Sequence, residues 1–183
     1  SWSPIVRERA GIALGRRKDA PVARVVALLD SPSLEARLGA CQAIAQLKGR
    51  ATPAVPTLRK TLHADDLWLR IKAADALAAI GKPAMEAVPE MLELLARFDP
   101  QKDPRGMQQR FFTFALFDSR EGLLGRSLEG VERQQLYQAV RAGLRNEDGR
   151  ARSDFGSVYR NLSAEAIKPL LPAILQAAVE PAP

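Results

Sequence analysis

Apolar positions along the chain fall three and four residues apart, the spacing that places side chains on one flank of an α-helix. Val55, Leu58 and Leu62 form one such run, and Ile71, Ala74, Leu77 and Ile80 form the next. The runs are separated where two antiparallel helices need breaks. Asp30-Ser31-Pro32-Ser33 and Ala64-Asp65-Asp66 lie within hairpins, whereas Gly49 to Pro53 and Gly81-Lys82-Pro83 lie between them. Ser3, Ser31 or Ser33, Asp66 and Asp148 each precede a second helix, where a side-chain oxygen can accept from orphan backbone N–H groups.

The pattern is an internal repeat. A shift of 33 positions superposes Val22 on Val55 on Val88, Leu29 on Leu62 on Leu95, and Arg37 on Arg70. A shift of 30 takes Arg37 back to Arg7, so the chain opens on the second helix of a hairpin. A shift of 82 puts Leu144 on Leu62, Asp148 on Asp66 and Arg152 on Arg70. Regular repeats are therefore expected over 3–98 and further ones over 131–180, with a terminal helix over 164–179. Between them, Pro100, Pro104, Gly106, Gly122, Gly125 and Gly130 interrupt the period. An irregular unit over 99–130 is predicted, with a second-type helix from Met107 to Phe117 and a long loop from Asp118 to Gly130. The expected fold is all-α, a right-handed α-α superhelix of about five hairpins forming one domain over 1–183. The opening Ser1-Trp2-Ser3-Pro4 and closing Pro181-Ala182-Pro183 read as the ends of a piece of a larger protein, with apolar repeat faces exposed at both. Compartment is left open.

Composition narrows the function. No segment approaches the roughly 18 uninterrupted apolar residues of a membrane helix, so no membrane role is expected. Cys41 is the only cysteine and His63 the only histidine, which leaves no intrachain disulfide and no zinc-type ligand set. Neither a metal nor a cofactor is expected. Aromatic residues are only 5% of the chain, and Ala and Leu dominate the apolar set, which favours helix over sheet.

A proline in the first helix (Pro56, Pro89, Pro172), a turn with Asp or Ser, and then Arg37, Ala40 and Ile44 or Arg70, Ala73 and Leu77 resemble the HEAT repeat. The short period is similar to bacterial HEAT-like repeats of the phycobilisome-lyase type. Segment 116–172, with Gly122 to Gly130 and Tyr159 to Ser163, resembles a HEAT region of large uncharacterised bacterial multidomain proteins. The resemblance implies an interaction scaffold and no particular reaction. It further implies that Arg7, Arg37, Arg70, Arg110 and Arg152 form a structural ladder bonding turn carboxylates and carbonyls of adjacent units. HEAT-like diiron hydroxylases need repeated His-Glu pairs, which this chain lacks.

Other signals for chemistry are weak. His63 near Asp65 and Asp66 reads as a solvated turn residue. Gly125 and Gly130 have phosphate-loop spacing, but Val131-Glu132 follows where Lys and Ser/Thr are needed. Asn161-Leu162-Ser163 is a chance glycosylation triplet, and Cys41, beside Ala40 and Ile44, reads as buried filler.

Charge introduces nucleic acid as the rival partner, because the sequence pI is about 9.9. Residues 1–24 carry six basic residues against two acidic ones, a net of +4 within a chain total of +6. Arg9, Arg16, Arg17 and Lys18 are the candidate anion contacts. If second helices line a concave surface, the stripe reads Ile5, Arg9, Ile12, Arg16, then Glu35, Gly39, Gln42, Gln46, then Trp68, Lys72, Asp75, Ala79. It continues through Gln108, Phe112, Ala115, Ser119, and Arg150, Asp154, Ser157, Asn161. That stripe is mixed, whereas a duplex reader concentrates basic residues along one track. A protein or peptide is the favoured partner, with Trp68, Lys72, Asp75 and Phe112 as its contacts. Trp68 and Asp75 superficially resemble the pair of HEAT-like DNA glycosylases, but no catalytic residue is assigned and the chain is read as non-enzymatic.

Overall fold

A computed structural model describes residues 3–97, 99, 101–118, 120–125, 127–146, 155–159 and 162–179. The described residues are helical, without strands, and fall into two compact units, Ser1–Ala87 and Val88–Pro183. The boundary coincides with the start of a first helix of the repeat. The caps expected from Asp148 and the ladder position Arg152 lie outside the described residues.

In the first unit, α1 (Pro4–Arg16), α3 (Leu34–Leu47) and α5 (Leu67–Ile80) are second helices of the repeat, and α3 packs between α1 and α5. First helices α2 (Val22–Ala27, extended by a 3-10 turn over Leu28–Asp30) and α4 (Val55–Thr61) pack onto α3 and α5 respectively. The caps of α3 and α5 form as the sequence predicts. Ser33 Oγ accepts from Ala36 N at 3.2 Å, and Asp66 Oδ1 accepts from Leu69 N at 2.7 Å. Ser3 precedes α1 without a side-chain cap bond. Pro56 falls in the first turn of α4, where its missing N–H costs no helical bond.

The layer of second helices packs through small residues. Ala40, Cys41 and Ala43 of α3 and Ala73, Ala74 and Ala76 of α5 are buried. A Cβ on Gly15 of α1 would lie 2.6 Å from the Cβ of Gln46, so the two backbones meet at a distance that only glycine allows. Leu58 and Leu62 from the first helices and Ile44, Ile71 and Leu77 from the second fill the interior. Each such side chain contributes about 1.5–3 kcal/mol when fully buried.

The segments between hairpins, read from sequence as breaks, are themselves 3-10 turns, Lys48–Ala54 and Lys82–Ala87. Both follow a second helix that ends in the same backbone conformation. Gly81 has φ 79° and ψ −139°, while its equivalent one repeat earlier, Lys48, has φ 54° and ψ −137°. Glycine adopts this geometry without a Cβ penalty, and lysine does not. One repeat spacing is also bridged directly, by Arg50 Nη1 donating to the Arg17 carbonyl at 2.6 Å.

In the second unit, α6 (Val88–Ala96) packs against α7 (Met107–Phe117) and α8 (Arg133–Leu144). Short helices α9 (Gly156–Tyr159) and α10 (Ala164–Ile167) lead through a 3-10 turn to α11 (Leu171–Val179), which packs on α8. The expected terminal helix over 164–179 is thus two α segments joined by Lys168–Leu170. Within the irregular stretch, α7 has the bounds read from sequence. Asp103 is buried, and its carboxylate accepts from Met107 N at 2.9 Å and Gln108 N at 2.8 Å.

Sequence patterning gave no sign of a buried amide chain in this unit. Gln109 Nε2 donates to the Leu95 carbonyl at 3.0 Å, its Oε1 accepts from Asn146 Nδ2, and both residues are fully buried. Gln108 Nε2 similarly donates to the Leu94 carbonyl at 3.1 Å. Two amides of α7 thereby reach carbonyls in the last turn of α6, where the Leu94 carbonyl also accepts from Arg97 N at 3.3 Å.

Two predictions follow from these backbone and hydrogen-bond arrangements. Lys48→Gly should stabilise the fold by about 1 kcal/mol, because it relieves a positive φ at an exposed site; thermal denaturation measures it, and a lowered melting temperature refutes it. Gln109→Leu should cost about 1–3 kcal/mol by stranding the Leu95 carbonyl and the Asn146 amide. An unchanged denaturant midpoint would show that the chain is not needed.

Candidate interaction face

Candidate residues on the first unit lie on the layer α1, α3 and α5. Arg9, Arg16, Glu35, Gln46 and Trp68 are exposed, and Gly39, Gln42, Lys72, Asp75 and Ala79 are half-buried. These residues lie on three helices that pack in succession, α1 on α3 and α3 on α5. Trp68, in the first turn of α5, is 46% exposed. Lys72 Nζ donates to Asp75 Oδ2 at 2.8 Å, an i,i+3 ion pair on the same helix. Their charges reach the next helix. The Cys41 thiol is pushed up to about 12, chiefly by burial and secondly by the Asp75 carboxylate, with Lys72 and Arg37 opposing. A thiol so placed stays protonated, so Cys41 is packing rather than a nucleophile.

The basic end is less free than its composition suggests. Arg17 grips Asp19 through Nε at 3.1 Å and Nη2 at 2.6 Å, which holds the Asp19 carboxyl below its usual range. Arg9, Arg16 and Lys18 are exposed. Glu35 accepts from Ser33 Oγ at 2.8 Å; its carboxyl is lowered first by its own backbone N–H, then by that hydroxyl, with a small contribution from Arg7.

The repeated arginines do not form one uniform set of bonds. Arg70 Nη1 donates to the carbonyls of Ala64 and Asp65, at 2.8 and 2.9 Å, which closes the turn of its own hairpin. Arg110 donates to the sulfur of Met107 in its own helix at 3.8 Å. The stem of Arg7 lies over Gly39 of α3, the next second helix, while Arg37 Nε is buried without an acceptor among the described residues. Arg59, which the repeat pattern did not single out, adds a bond between successive segments of the first unit, Nη1 donating to Glu86 Oε2 at 3.0 Å.

Phe112 requires correction. It was expected on the exposed stripe, but it is fully buried, as is Ala115 three residues on. The reason lies in the segment after α7, which doubles back on the helix: Leu123 N donates to the Ala115 carbonyl at 3.0 Å and Leu124 N donates to the Leu116 carbonyl. This covers the positions that correspond to Lys72 and Asp75 of α5. The more exposed aromatics of α7 are Phe114 and its neighbour Phe111, edge-on with ring centroids 6.0 Å apart. A one-residue change of helical phase would have found them. Ser119, Arg150, Asp154 and Asn161 of the expected stripe lie outside the described residues.

His63 is exposed in its turn, and the Asp66 carboxylate is committed to capping α5. Among the described residues no three His, Cys, Asp or Glu side chains converge, and no helix is long and apolar enough to cross a membrane.

Residues 22–103 match the model of the family described as HEAT repeats. That segment spans the two complete hairpins of the first unit and continues through α6. No curated protein and no solved structure matches the chain.

The inert thiol can be checked directly. Cys41 should resist an aromatic disulfide reagent in the native protein and react at the rate of global unfolding when denaturant is added. Rapid stoichiometric labelling without denaturant would show the site to be open.

Proposed function

We propose that the HEAT-repeat segment is a non-catalytic scaffold that binds a protein or peptide on the face built from α1, α3 and α5. The observation that supports this most is Trp68, a large aromatic left 46% exposed on the segment's central surface. Unsatisfied apolar area of this kind gains on burial by a partner, and tryptophan is enriched among residues that dominate binding energy. The Lys72–Asp75 pair lies one to two turns further along the same helix. It offers orientation more than affinity, because a half-exposed ion pair is worth little by itself. Gln46 of α3, which is exposed, adds a polar side chain to the same face.

A phosphate backbone fits this face poorly. Lys72 is already neutralised by Asp75, and the α3 section carries Glu35 and two glutamines in place of a basic track. On this reading the repeat is of the bacterial phycobilisome-lyase type and the scaffold also positions domains of a larger chain.

Affinity capture with nuclease treatment, followed by mass spectrometry and titration of the captured protein, tests the assignment. Nuclease-resistant capture is expected, with Trp68→Ala costing about 2 kcal/mol of affinity, roughly thirtyfold. Nuclease-sensitive capture, or an affinity indifferent to Trp68→Ala, would overturn it.

A further inference from the structure

We propose that the edge of the first unit formed by its three inter-hairpin turns is a second docking surface, and that it receives an extended acidic peptide segment of a partner protein. This surface lies apart from the face around Trp68 and does not depend on it. Residues 1–87 hold 14 basic and 8 acidic residues, the whole of the chain's +6, whereas 88–183 hold 13 of each. Turns 16–19, 48–54 and 81–83 account for six of those basic residues and one acidic one. The turns that precede α3 and α5, at 28–35 and 62–66, carry four acidic residues and no Lys or Arg. The three basic turns are neighbours. Arg50 Nη1 donates to the Arg17 carbonyl at 2.6 Å, and an added Cβ on Gly49 would lie 3.9 Å from the Ile80 carbonyl oxygen at the end of α5. They form a row across the ends of α1, α3 and α5, with steps of about 8–10 Å, the spacing of packed helices. A hairpin stacked outside α1 would lengthen this row rather than cover it.

Two of the six cations are engaged, Arg17 with Asp19 and Arg50 with the Arg17 carbonyl. Arg16, Lys18, Lys48 and Lys82 are exposed and form no ion pair among the described residues. Lys48 is the most informative of them. It holds φ 54° and ψ −137°, the conformation that Gly81 takes one repeat later, so a lysine stands where glycine costs the backbone less. Strain of this kind clusters where a side chain serves a ligand. The row also selects its occupant. None of the exposed large apolar side chains lies in these turns, so a bilayer finds nothing to insert. The last carbonyls of three helices face the same edge with their partial negative charge. A peptide answers both, with carboxylates for the cations and backbone N–H groups for the carbonyls. A DNA backbone brings anions without donors and sets phosphates against the negative ends of three helices. The acidic edge of a second copy offers less, because Asp66 caps α5 and Glu35 is held by Ser33. An extended chain advances about 3.3 Å per residue, so carboxylates three residues apart meet successive turns.

The test uses a labelled synthetic peptide of about twelve residues, long enough to span the row when extended, with Glu at every third position and Ser and Gly between. It is titrated by fluorescence anisotropy at low salt, beside a Lys version, a DNA duplex and anionic vesicles. Saturable binding of the Glu peptide is expected, lost as salt rises and weakened about tenfold or more by Lys48→Glu with Lys82→Glu. Lys48→Gly should weaken it roughly threefold while raising the melting temperature, which separates contact from folding. Lys60→Glu, an equal change of charge at an exposed site near the opposite turns, should leave binding within about twofold. The proposal is overturned by no binding of the Glu peptide, by equal binding of the Lys one, or by a loss with Lys60→Glu as large as that with the edge variants. Tighter edge-dependent capture of duplex or vesicles, or self-association that Lys48→Glu breaks, overturns it as well. Trp68→Ala separates the two readings: peptide binding lost with Trp68→Ala but unaffected by the edge variants sinks this inference and leaves the scaffold face standing.

Discussion

A helix that is apolar on more than one side has to be covered on each of them, and a short hairpin cannot cover its own outer flanks. Most features of the first unit follow from that constraint. α3 is flanked by α1 and α5 because Ala40, Ala43, Ala73 and Ala76 present surfaces too small to fill a cavity and well suited to close backbone approach. Gly11 and Gly15 carry the same solution to α1. Close approach has a functional consequence. Small residues close the contacts between these helices while Ile44, Ile71 and Leu77 fill the interior, and Trp68 and Gln46 are left exposed.

The second unit meets its requirements with polar groups as well. Its repeat is interrupted, and α6 ends at Ala96 while the next helix begins at Met107. Gln108 and Gln109 supply donors to the carbonyls of Leu94 and Leu95, and Asn146 closes the remaining acceptor of Gln109. Fully satisfied buried amides fix one arrangement of α6, α7 and α8, because any slip strands several groups at once. Gly143 makes a related contribution, since a Cβ there would overlap the ring of the buried Phe155. The loop after α7 then closes over a surface that α5 leaves open.

Much of this was legible in the sequence where a local rule applied. Ser33 and Asp66 stand ahead of helices and cap them, Gly81 ends a helix, and Met107–Phe117 is helical between the turns that bound it, whereas the positive φ of Lys48 carries no sequence signal. What escaped depended on contacts distant in sequence. Phe112 has the helical phase of an exposed residue yet is fully buried, in the helix onto whose Ala115 and Leu116 carbonyls Leu123 and Leu124 return. The Gln109–Asn146 bond spans 37 residues and involves side chains common on surfaces. Arg70 was recognised as structural from its register, but its acceptors are the carbonyls of its own turn, which no pattern of side chains can reveal.

The same distinction governs how the basic character of the chain should be read. Arg50 holds the Arg17 carbonyl, Arg59 pairs with Glu86, Arg70 closes a turn, and Arg141 donates to the Pro169 carbonyl at 3.2 Å. These cations are engaged in bonds within the fold, and only that of Arg59 is balanced by a carboxylate. Net charge is evidence about partners only after such residues are set aside.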